Sequence, residues 1–293
     1  MSQAIQTSAK KITVLGTGTM GAAIARNLRK KGFIVSVWNR TYEKAKALAE
    51  FGITVHEQVQ EAVSGADIIL TMLKDGSAIS EVMDSALLGL SKGTIWIQAS
   101  TVGIAANEQL EAIAAENDLT YFDAPVQGTK GPAELGKLII IASGSLFGRH
   151  IVQSVFDAIG QRTVWVSEQS GMSSRLKLAL NSWAFALTHG IAESLSIAES
   201  LGIEPSLVID VVKDGPMDSL YFQLKSAAIM AGNYDPSFSL DNAIKDAELI
   251  VEASKSAGVK VDSVEAGLKR WKRAQQAGHG SKDMAATYFA KSL

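Results

Sequence analysis

The sequence of 293 residues contains no cysteine and only four histidines. The absence of cysteine excludes disulfide bonds, thiol nucleophiles and cysteine-ligated zinc sites, and it fits a reducing compartment. We expect no bound metal. No apolar run is long enough to span a membrane, and the run at 138–142 has the length of a strand.

The sequence also has little net charge and no targeting pattern at 1–11. The formal net charge of −2 gives no electrostatic reason to expect nucleic acid or an anionic membrane as a partner. Residues 1–11 lack the apolar core of a signal peptide. We therefore expect a cytoplasmic protein that binds neither nucleic acid nor a membrane.

The composition that is present, 47% hydrophobic and 20% charged residues, is that of a globular protein, and 293 residues suit two domains. One stretch, 11–41, combines a short apolar run, a glycine turn, a helical pattern and a second apolar run. The turn reads Gly16-Thr17-Gly18-Thr19-Met20-Gly21. This order is typical of a dinucleotide-binding unit.

Each glycine of the turn then has a distinct task. Gly16 permits the tight turn, Gly18 lets the backbone approach a pyrophosphate, and Gly21 lets the helix pack on the strand. The N–H groups and the dipole at the helix start favour the phosphate charge. We predict that all six turn residues bind a cofactor; the alternative is an ordinary glycine turn.

The residues after the second apolar run indicate which dinucleotide binds. NAD-binding proteins usually place Asp or Glu there, whereas this chain has Asn39-Arg40-Thr41. Arg40 could pair with a 2′-phosphate, and Asn39 and Thr41 could donate to its oxygens. We therefore predict NADP(H); the alternative is that Arg40 is a solvated turn residue.

Strand and helix patterns alternate as far as residue 166. They predict an α/β fold with an N-terminal Rossmann domain, a doubly wound and mostly parallel sheet, over 1–169. Ligands bind outside the carboxyl ends of such strands. The loops that begin at Gly16, Asn39, Lys74, Ser100 and Pro125 are therefore the candidate site, and we include Leu73 and Lys74 among the cofactor-binding residues.

From residue 170 onward only helical patterns occur. A long interdomain helix is predicted over 170–201, followed by helices at 205–212, 220–230, 240–256, 263–276 and 282–292. The predicted apolar stripe of the long helix is Leu176, Leu180, Trp183, Leu187, Ile191 and Leu195. We therefore predict an all-helical C-terminal domain, 170–293, for substrate binding and dimerisation.

Lys177 and Asn181 lie four residues apart near the start of the long helix, so they share one face. Position 177 is close to the predicted domain junction, where a cleft would form. A lysine there could donate a proton to a carbonyl oxygen as hydride arrives. On position alone, a solvated helix lysine is the favoured alternative.

Five segments together resemble the β-hydroxyacid dehydrogenases, relatives of 3-hydroxyisobutyrate and 6-phosphogluconate dehydrogenases. They are GTGTMG at 16–21, AST at 99–101, DAPVQG at 123–128, GMSSRLKLALN at 171–181 and IKD at 244–246. The segments WNRT at 38–41 and KGPAELGKL at 130–138 are most similar to the glyoxylate and succinic semialdehyde reductase branch.

The resemblance implies roles for single residues. Lys177 corresponds to the catalytic lysine of the family and Asn181 to the asparagine beside it. Further residues are implied in the site: Thr101 near nicotinamide and substrate, Gln127, Gly128 and Thr129 around the substrate carboxylate, Phe238 as an apolar wall, Lys245 at the cofactor and Asp246 at the substrate. For Lys245 and Asp246 the alternative is a surface helix pair. Asp123 is more often structural in the family, and His189 has no motif around it and fits a core or surface histidine.

Two residues depart from the family pattern. Gln127 stands where serine is usual, and its longer amide could shrink the pocket or shift its preference away from a carboxylate. Ser173 stands where glycine is usual, and it could cap the helix or alter the approach of the nicotinamide. Both departures leave the expected fold and cofactor unchanged and bear on the substrate.

The sequence thus predicts an NADP(H)-dependent oxidoreductase that reduces a short aldehyde or keto acid, such as glyoxylate or succinic semialdehyde, with Lys177 as general acid. The resemblance also implies a homodimer or homotetramer. An imine reductase is the closest rival, although such enzymes usually lack lysine at this position. A non-enzymatic NADPH-binding module of the same fold is the rival from another class. Decarboxylating 6-phosphogluconate dehydrogenase is disfavoured by its longer chain.

Overall fold

The computed structural model describes residues 9–291, and the chain divides into two compact units between Lys177 and Leu178. Most of the 1–11 segment, predicted to lack a signal peptide, and the predicted end of the last helix at residue 292 lie outside the described residues. The boundary between functional domains at 169/170 stays a prediction.

The first unit is built on a nine-stranded sheet. Its strands are β1 (Lys11–Leu15), β2 (Ile34–Trp38), β3 (Thr54–His56), β4 (Ile68–Thr71), β5 (Ile95–Gln98), β6 (Thr120–Asp123), β7 (Val126–Gln127), β8 (Leu138–Gly144) and β9 (Gly160–Ser167). The spatial order is β3-β2-β1-β4-β5-β6-β8-β7, and β9 pairs with β8. Among the strand pairs of residues 9–291, only β6–β8 and β7–β8 are antiparallel, so the predicted, mostly parallel sheet is confirmed.

Helices cover both faces of this sheet. They are α1 (Thr19–Lys30), α2 (Tyr42–Lys46), α3 (Val59–Val63), α4 (Gly76–Ala86), α5 (Ile104–Glu116), α6 (Lys130–Glu134) and α7 (Arg149–Ile159), with 3₁₀ segments at Ala47–Phe51 and Leu87–Gly89. Successive strand residues point to opposite faces: Ile97 belongs to a core cluster with α1 and α7, and Trp96 to a second cluster with α4 and α5. The sheet is therefore doubly wound, as predicted.

Four strands and α-helices of this unit were not predicted, namely α4, β7, α6 and α7, nor was the 3₁₀ segment Leu87–Gly89. The first of these helices is capped by Asp75, whose carboxylate accepts a hydrogen bond from the Ala78 N–H over 2.9 Å. The short α6 is held by Asn27, whose amide donates to the carbonyl oxygen of Ala133 over 2.7 Å. A tertiary contact of this kind leaves no local pattern in the sequence.

The second unit is helical. The long helix α8 (Met172–Ser200) begins in the first unit and continues into the second, where α9 (Pro205–Val212), α10 (Leu220–Met230), α11 (Leu240–Ser256) and α12 (Asp262–Ala274) follow. A π-helical turn at Gln275–His279 and a 3₁₀ segment at Met284–Lys291 complete the described chain. The last predicted α-helix is thus a 3₁₀ segment as far as it is described.

The predicted apolar stripe of α8 is wrong at Trp183, whereas Leu176, Leu180 and Leu187 are half-buried. Trp183 is 65% exposed, whereas Phe185 is buried with its ring 4.8 Å from that of Trp271. Ile191 and Leu195 are buried, as predicted. The buried face of this helix includes hydrogen-bonded polar side chains, and a stripe of apolar residues alone therefore does not identify it. No helix among residues 9–291 has the length and apolarity that a membrane crossing requires.

Candidate active site

The candidate cofactor loops follow five neighbouring parallel strands of the first unit. In the ladder register, Leu15 pairs with both Trp38 and Thr71, Thr71 pairs with Gln98, and Gln98 pairs with Asp123. These are the last residues of β1, β2, β4, β5 and β6. The loops predicted to carry the site therefore begin at the same edge of the sheet.

The three glycines of the turn after β1 differ in their surroundings. Gly16 has a φ of +101°, and a Cβ built on it would lie 2.3 Å from the carbonyl oxygen of Met72. A Cβ on Gly21 would lie 1.9 Å from the carbonyl oxygen of Gly16. A Cβ on Gly18 would meet nothing within 4 Å. The chain itself requires glycine at 16 and 21, whereas the space over Gly18 is open.

The start of α1 suits a phosphate group. Gly18 is its N-cap residue, and the first turn carries no acidic side chain. Thr17 is buried, and its hydroxyl oxygen has no hydrogen-bond partner within the described chain. Exposed N–H groups at a helix start, an unpaired hydroxyl and open space over Gly18 fit a pyrophosphate. Thr19 is exposed and Met20 packs against the core beside this turn.

The turn after β2 is tied to the glycine turn by Asn39. Its Oδ1 accepts a hydrogen bond from the Thr17 N–H over 3.0 Å, and its Nδ2 donates to the carbonyl oxygen of Thr41 over 2.9 Å. Asn39 therefore fixes the two turns, and its donation to a 2′-phosphate stays a prediction. Arg40 and Thr41 are exposed, as a phosphate contact requires.

The loops after β4 and β5 are joined by Ser100. Its hydroxyl oxygen accepts a hydrogen bond from the Leu73 N–H over 2.9 Å, and its own N–H and carbonyl oxygen are bonded to the side chain of Gln98. Leu73 also lies against the glycine turn, with its Cδ2 2.8 Å from the position of a Cβ on Gly16. These bonds fix the loop that leads to the half-buried Thr101, whereas Lys74 is exposed.

Lys177 is only 8% exposed, so it is not a solvated surface lysine. Its Nζ donates a hydrogen bond to Oε1 of Gln127 over 2.8 Å. The helix of Lys177 and the end of strand β7 at Gln127, 50 residues apart in sequence, therefore meet within the first unit. Gly128, with a φ of +132°, and Thr129 follow Gln127 directly.

A buried carboxylate lies at the start of the same helix. Asp123 accepts hydrogen bonds from the N–H of Ser174 and from the hydroxyls of Ser173 and Ser174 over 2.7–2.9 Å. Burial raises the pKa of the Asp123 carboxyl, although these hydrogen bonds favour its charged form. Ser173 therefore bonds to Asp123 instead of capping the helix with its own side chain, and the sequence did not indicate this cluster.

A second cluster of polar residues lies in the second unit. The amide Nδ2 of Asn181 donates to Oδ2 of Asp246 over 2.8 Å, and Nζ of Lys245 lies 2.7 Å from Oδ1 of Asp246. Asp246 is 2% exposed and Asn181 5%, which rules out an exposed helix pair. Asn181 lies one helical turn after Lys177 on α8.

Phe238 is half-buried just before α11, and Asp283 fixes its backbone. The carboxylate of Asp283 pairs with Nζ of Lys225 over 2.6 Å and accepts hydrogen bonds from Ser237 and from the Phe238 N–H. Burial alone would raise the pKa of Asp283, but Lys225 and the hydrogen bonds lower it. Asp283 belongs to no motif and no periodic pattern, so the sequence did not predict its contact with Phe238.

His189 is a core histidine, one of the two alternatives left open by the sequence. It is 8% exposed, its ring lies 4.3 Å from that of Trp271, and Nδ1 is 3.0 Å from the Thr287 hydroxyl. Burial, with a smaller contribution from Arg270, lowers its pKa from 6.5 to about 4. Within residues 9–291, no three His, Asp or Glu side chains are grouped so as to hold a metal ion.

Two family models match the chain. The NAD-binding domain of 6-phosphogluconate dehydrogenase matches residues 11–167, and the NAD-binding domain of NADP-dependent 3-hydroxyisobutyrate dehydrogenase matches residues 171–290. Glyoxylate/succinic semialdehyde reductase 1 of Arabidopsis thaliana is 31% identical over 285 residues, which is 96% of this chain and 98% of that protein. The cytokine-like nuclear factor N-PAC of Gallus gallus is 29% identical over 96% of this chain, which spans 51% of the length of that relative.

Solved structures share the fold. A 3-hydroxyisobutyrate dehydrogenase from Salmonella typhimurium has a TM-score of 0.88 at 22% identity, over 96% of this chain and 99% of that chain. An imine reductase from Pseudomonas sp. has a TM-score of 0.64 at 23% identity, over 97% and 100% of the two chains. The similarity in fold is thus greater to the dehydrogenase than to the imine reductase.

Proposed function

Since this chain belongs to the β-hydroxyacid dehydrogenase family, a family of nicotinamide-dependent oxidoreductases, we propose that it is an NADPH-dependent reductase of a short aldehyde or keto acid. The product is the corresponding hydroxy acid. Glyoxylate and succinic semialdehyde are the first substrates to test, because a reductase of both is 31% identical over almost the whole chain.

The observation that carries this proposal is the burial of Lys177 against Gln127. A lysine that is 8% exposed and held at 2.8 Å by a neighbouring amide has a defined position from which to act on a substrate. NADPH, when bound, supplies the hydride. Lys177 donates the proton to the carbonyl oxygen of the substrate, and in the reverse direction its amine accepts a proton from the hydroxyl group.

The remaining residues have positioning roles in this proposal. Those assigned to the substrate are Thr101, Gln127, Gly128, Thr129, Asn181, Phe238 and Asp246. The Gly128 backbone and the Thr129 hydroxyl offer short donors for a carboxylate, and the amide of Gln127 adds a longer one. Asn181 is held by Asp246 at 2.8 Å and is therefore oriented before any substrate binds.

The cofactor assignment is NADP(H). The residues assigned to it are Gly16, Thr17, Gly18, Thr19, Met20, Gly21, Arg40, Thr41, Leu73, Lys74, Thr101 and Lys245, with Asn39 fixing the turns between them. The exposed guanidinium of Arg40 suits a 2′-phosphate, and Asn39, Arg40 and Thr41 provide no carboxylate for a ribose 2′-hydroxyl.

A screen of NADPH consumption tests the function. The panel contains glyoxylate, succinic semialdehyde, other keto acids, neutral aldehydes and cyclic imines, and the Lys177→Met variant is the matched control. We expect turnover of a short aldehyde or keto acid that the variant largely loses. Turnover of cyclic imines alone would favour the imine reductase. NADPH binding without any turnover would favour the non-enzymatic module and remove our proposal.

We also infer that the protein is a homodimer or homotetramer in the cytoplasm, without a nucleic-acid or membrane partner. The second unit exposes large apolar side chains on three helices, among them Trp183, Leu207, Val211, Leu220 and Leu224. Exposed fractions of 82% for Val211 and 76% for Leu220 are high for apolar residues of a monomer. Light scattering after gel filtration should give two or four copies, and a monomer at micromolar concentration would contradict this.

A further inference from the structure

Asp123 stands at the point where two strands and one helix of the first unit meet. It is the last residue of β6 and pairs with Ser143 of β8 in the antiparallel ladder. Ser173 and Ser174 lie in the first turn of α8. Asp123, Ser143 and Ser173 are 0% exposed and Ser174 is 3% exposed, so water does not compete for their hydrogen bonds.

The hydrogen bonds of this cluster link Ser143, Ser173, Ser174 and Asp123. The Ser173 N–H donates to the Ser143 hydroxyl oxygen over 3.2 Å, and the Ser143 and Ser173 hydroxyl oxygens lie 2.6 Å apart. The Ser173 hydroxyl donates a hydrogen bond to the carboxylate of Asp123, which also accepts the N–H and the hydroxyl of Ser174. The carboxylate thus accepts three donors from the first turn of α8, where helix N–H groups otherwise lack partners.

Both partners of the Lys177–Gln127 hydrogen bond lie close in sequence to residues of this cluster. Gln127 lies four residues after Asp123, and Lys177 lies three residues after Ser174, a rise of about 4.5 Å along the helix. A shift of the first turn of α8 relative to β6 would therefore move Nζ of Lys177 away from Oε1 of Gln127.

We propose that Asp123 is a positioning residue for Lys177: its carboxylate fixes the first turn of α8 to the end of β6, and this junction sets the 2.8 Å contact between Lys177 and Gln127. The proposal rests on the proposed function, in which Lys177 donates the proton. It gives Ser173 a task as well, since a glycine at this position would lack the hydroxyl that links Ser143 to Asp123.

The test compares Asp123→Ala, which removes all three acceptor contacts, with Asp123→Asn. An asparagine can keep its Oδ1 on the Ser174 N–H and donate its Nδ2 to the Ser174 hydroxyl, so it should rescue most of the loss. Because a misplacement of about 1 Å can cost about 100-fold in rate, we expect Asp123→Ala to lower kcat by about 10- to 100-fold. The affinity for NADPH should stay within about twofold, since the cluster holds the acid and not the phosphates.

Two readouts separate positioning from a general loss of stability. In a Lys177→Ala background, Asp123→Ala should lower kcat no further, because it acts through the lysine. In the cofactor-free protein, acetylation of Lys177 by acetic anhydride, followed by mass spectrometry, should become faster in Asp123→Ala as the lysine leaves its buried contact. The control is Thr13→Val, which removes a buried hydrogen bond of 2.6 Å to the Ala62 carbonyl oxygen elsewhere in the unit. It should lower the melting temperature and leave kcat and acetylation unchanged.

The outcomes are distinguishable. If Asp123→Ala lowers kcat equally in the wild-type and Lys177→Ala backgrounds, or leaves the acetylation rate unchanged, Asp123 does not position Lys177. If Lys177→Ala itself keeps wild-type turnover, the proposed function fails, and the acetylation rates still decide the structural claim. Should Asp123→Ala not fold, Ser174→Ala and Ser173→Gly replace it, since each removes one donor and should give a smaller loss of kcat and a smaller rise in acetylation.

Discussion

The side-chain oxygen of Gln127 accepts a hydrogen bond from Nζ of Lys177 over 2.8 Å. The residue that departs from the serine usual in the family therefore touches the proposed acid. An amide oxygen carries no net charge, so this contact fixes the ammonium group without forming an ion pair through Gln127. The same side chain still has two N–H donors to offer a substrate.

Replacing Gln127 by serine should change substrate preference. Gln127→Ser shortens the side chain and leaves a compact hydroxyl donor beside Gly128 and Thr129, which favours a small carboxylate. We expect the ratio of kcat/KM for glyoxylate over that for a neutral aldehyde of similar size to rise. An unchanged ratio would show that Gln127 does not face the substrate carboxylate. Gln127→Asn, which keeps the amide, is the matched control and should move the ratio less.

Alanine substitutions at Gly18 and Gly21 should affect two different properties, cofactor binding and stability. Gly18→Ala places a Cβ where the structure has nothing within 4 Å, so the melting temperature should change by less than about 2 °C. Because this space lies where the pyrophosphate is expected, NADPH binding should weaken by about tenfold or more. Gly21→Ala brings a Cβ to 1.9 Å from the Gly16 carbonyl oxygen and should destabilise the fold by about 1–3 kcal/mol.

Thermal unfolding and a fluorescence titration with NADPH measure both effects on the same preparations. A Gly18→Ala variant that binds NADPH like the wild type would show that the pyrophosphate does not approach the backbone at this turn.

Arg40 should decide the choice between the two nicotinamide cofactors. Arg40→Ala removes a charge-assisted contact to the 2′-phosphate worth about 1.5–3 kcal/mol. The KM for NADPH should then rise roughly ten- to hundredfold, whereas the KM for NADH should change little. Arg162→Ala, on an exposed arginine of β9, is the control. Equal losses with both cofactors, or a wild-type preference for NADH, would contradict the assignment.

His189 should make the second unit sensitive to acid. Its pKa of about 4 in the folded protein lies below the ordinary 6.5, so the unfolded chain takes up the proton first as pH falls. The stability that the neutral ring provides is complete above about pH 6.5 and is lost as pH falls toward 4, by roughly 3 kcal/mol in total. Urea unfolding at pH 7.5 and 4.5 measures this difference.

The His189→Gln variant removes the titrating ring and serves as the comparison for that measurement. It should be less stable than the wild type at pH 7.5, because the ring packs against Trp271, but it should lose less stability on going to pH 4.5. An equal loss in both proteins would mean that the acid sensitivity comes from carboxyl groups and not from His189. Asp283, whose pKa is lowered in the folded protein, is one such group.

The sheet could be predicted from the sequence because each buried strand is a short apolar run and the intervening patterns are helical. The helix α7 has the necessary spacing in Val152, Val155, Phe156 and Ile159, but it was not assigned. The five residues of α6 include glycine and proline and depend on Asn27, 106 residues away, for a carbonyl partner. Trp183 was wrongly included in the stripe of α8, because buried polar residues such as Asn181 and Thr188 interrupt the apolar pattern.

The candidate site, too, could be predicted from the sequence in part only. The loops after β1, β2, β4, β5 and β6 could be placed together from strand order alone, because parallel strands end at one edge. The contacts that connect them could not: Gln127 and Lys177, and Asp123 and Ser173, are each 50 residues apart. Long-range contacts of this kind are set by the packing of α8 against the sheet, which a single sequence does not show.

The proposed mechanism depends on Lys177, and its replacement gives the sharpest test. A positioned general acid typically contributes about 10²–10⁴ in rate, so Lys177→Ala and Lys177→Met should lower kcat by about that much. The affinity for NADPH should change little, because Lys177 is bonded to Gln127 and the proposal assigns it to the substrate, whereas the phosphates are expected at the glycine turn. Lys177→Arg is the matched control: it keeps the positive charge and a donor for Gln127, but a guanidinium does not release its proton. It should therefore be nearly as slow as Lys177→Ala, whereas an arginine variant with near-wild-type turnover would show that only the charge at this position matters. Loss of NADPH binding in all three variants would instead move Lys177 to the cofactor and favour the imine reductase.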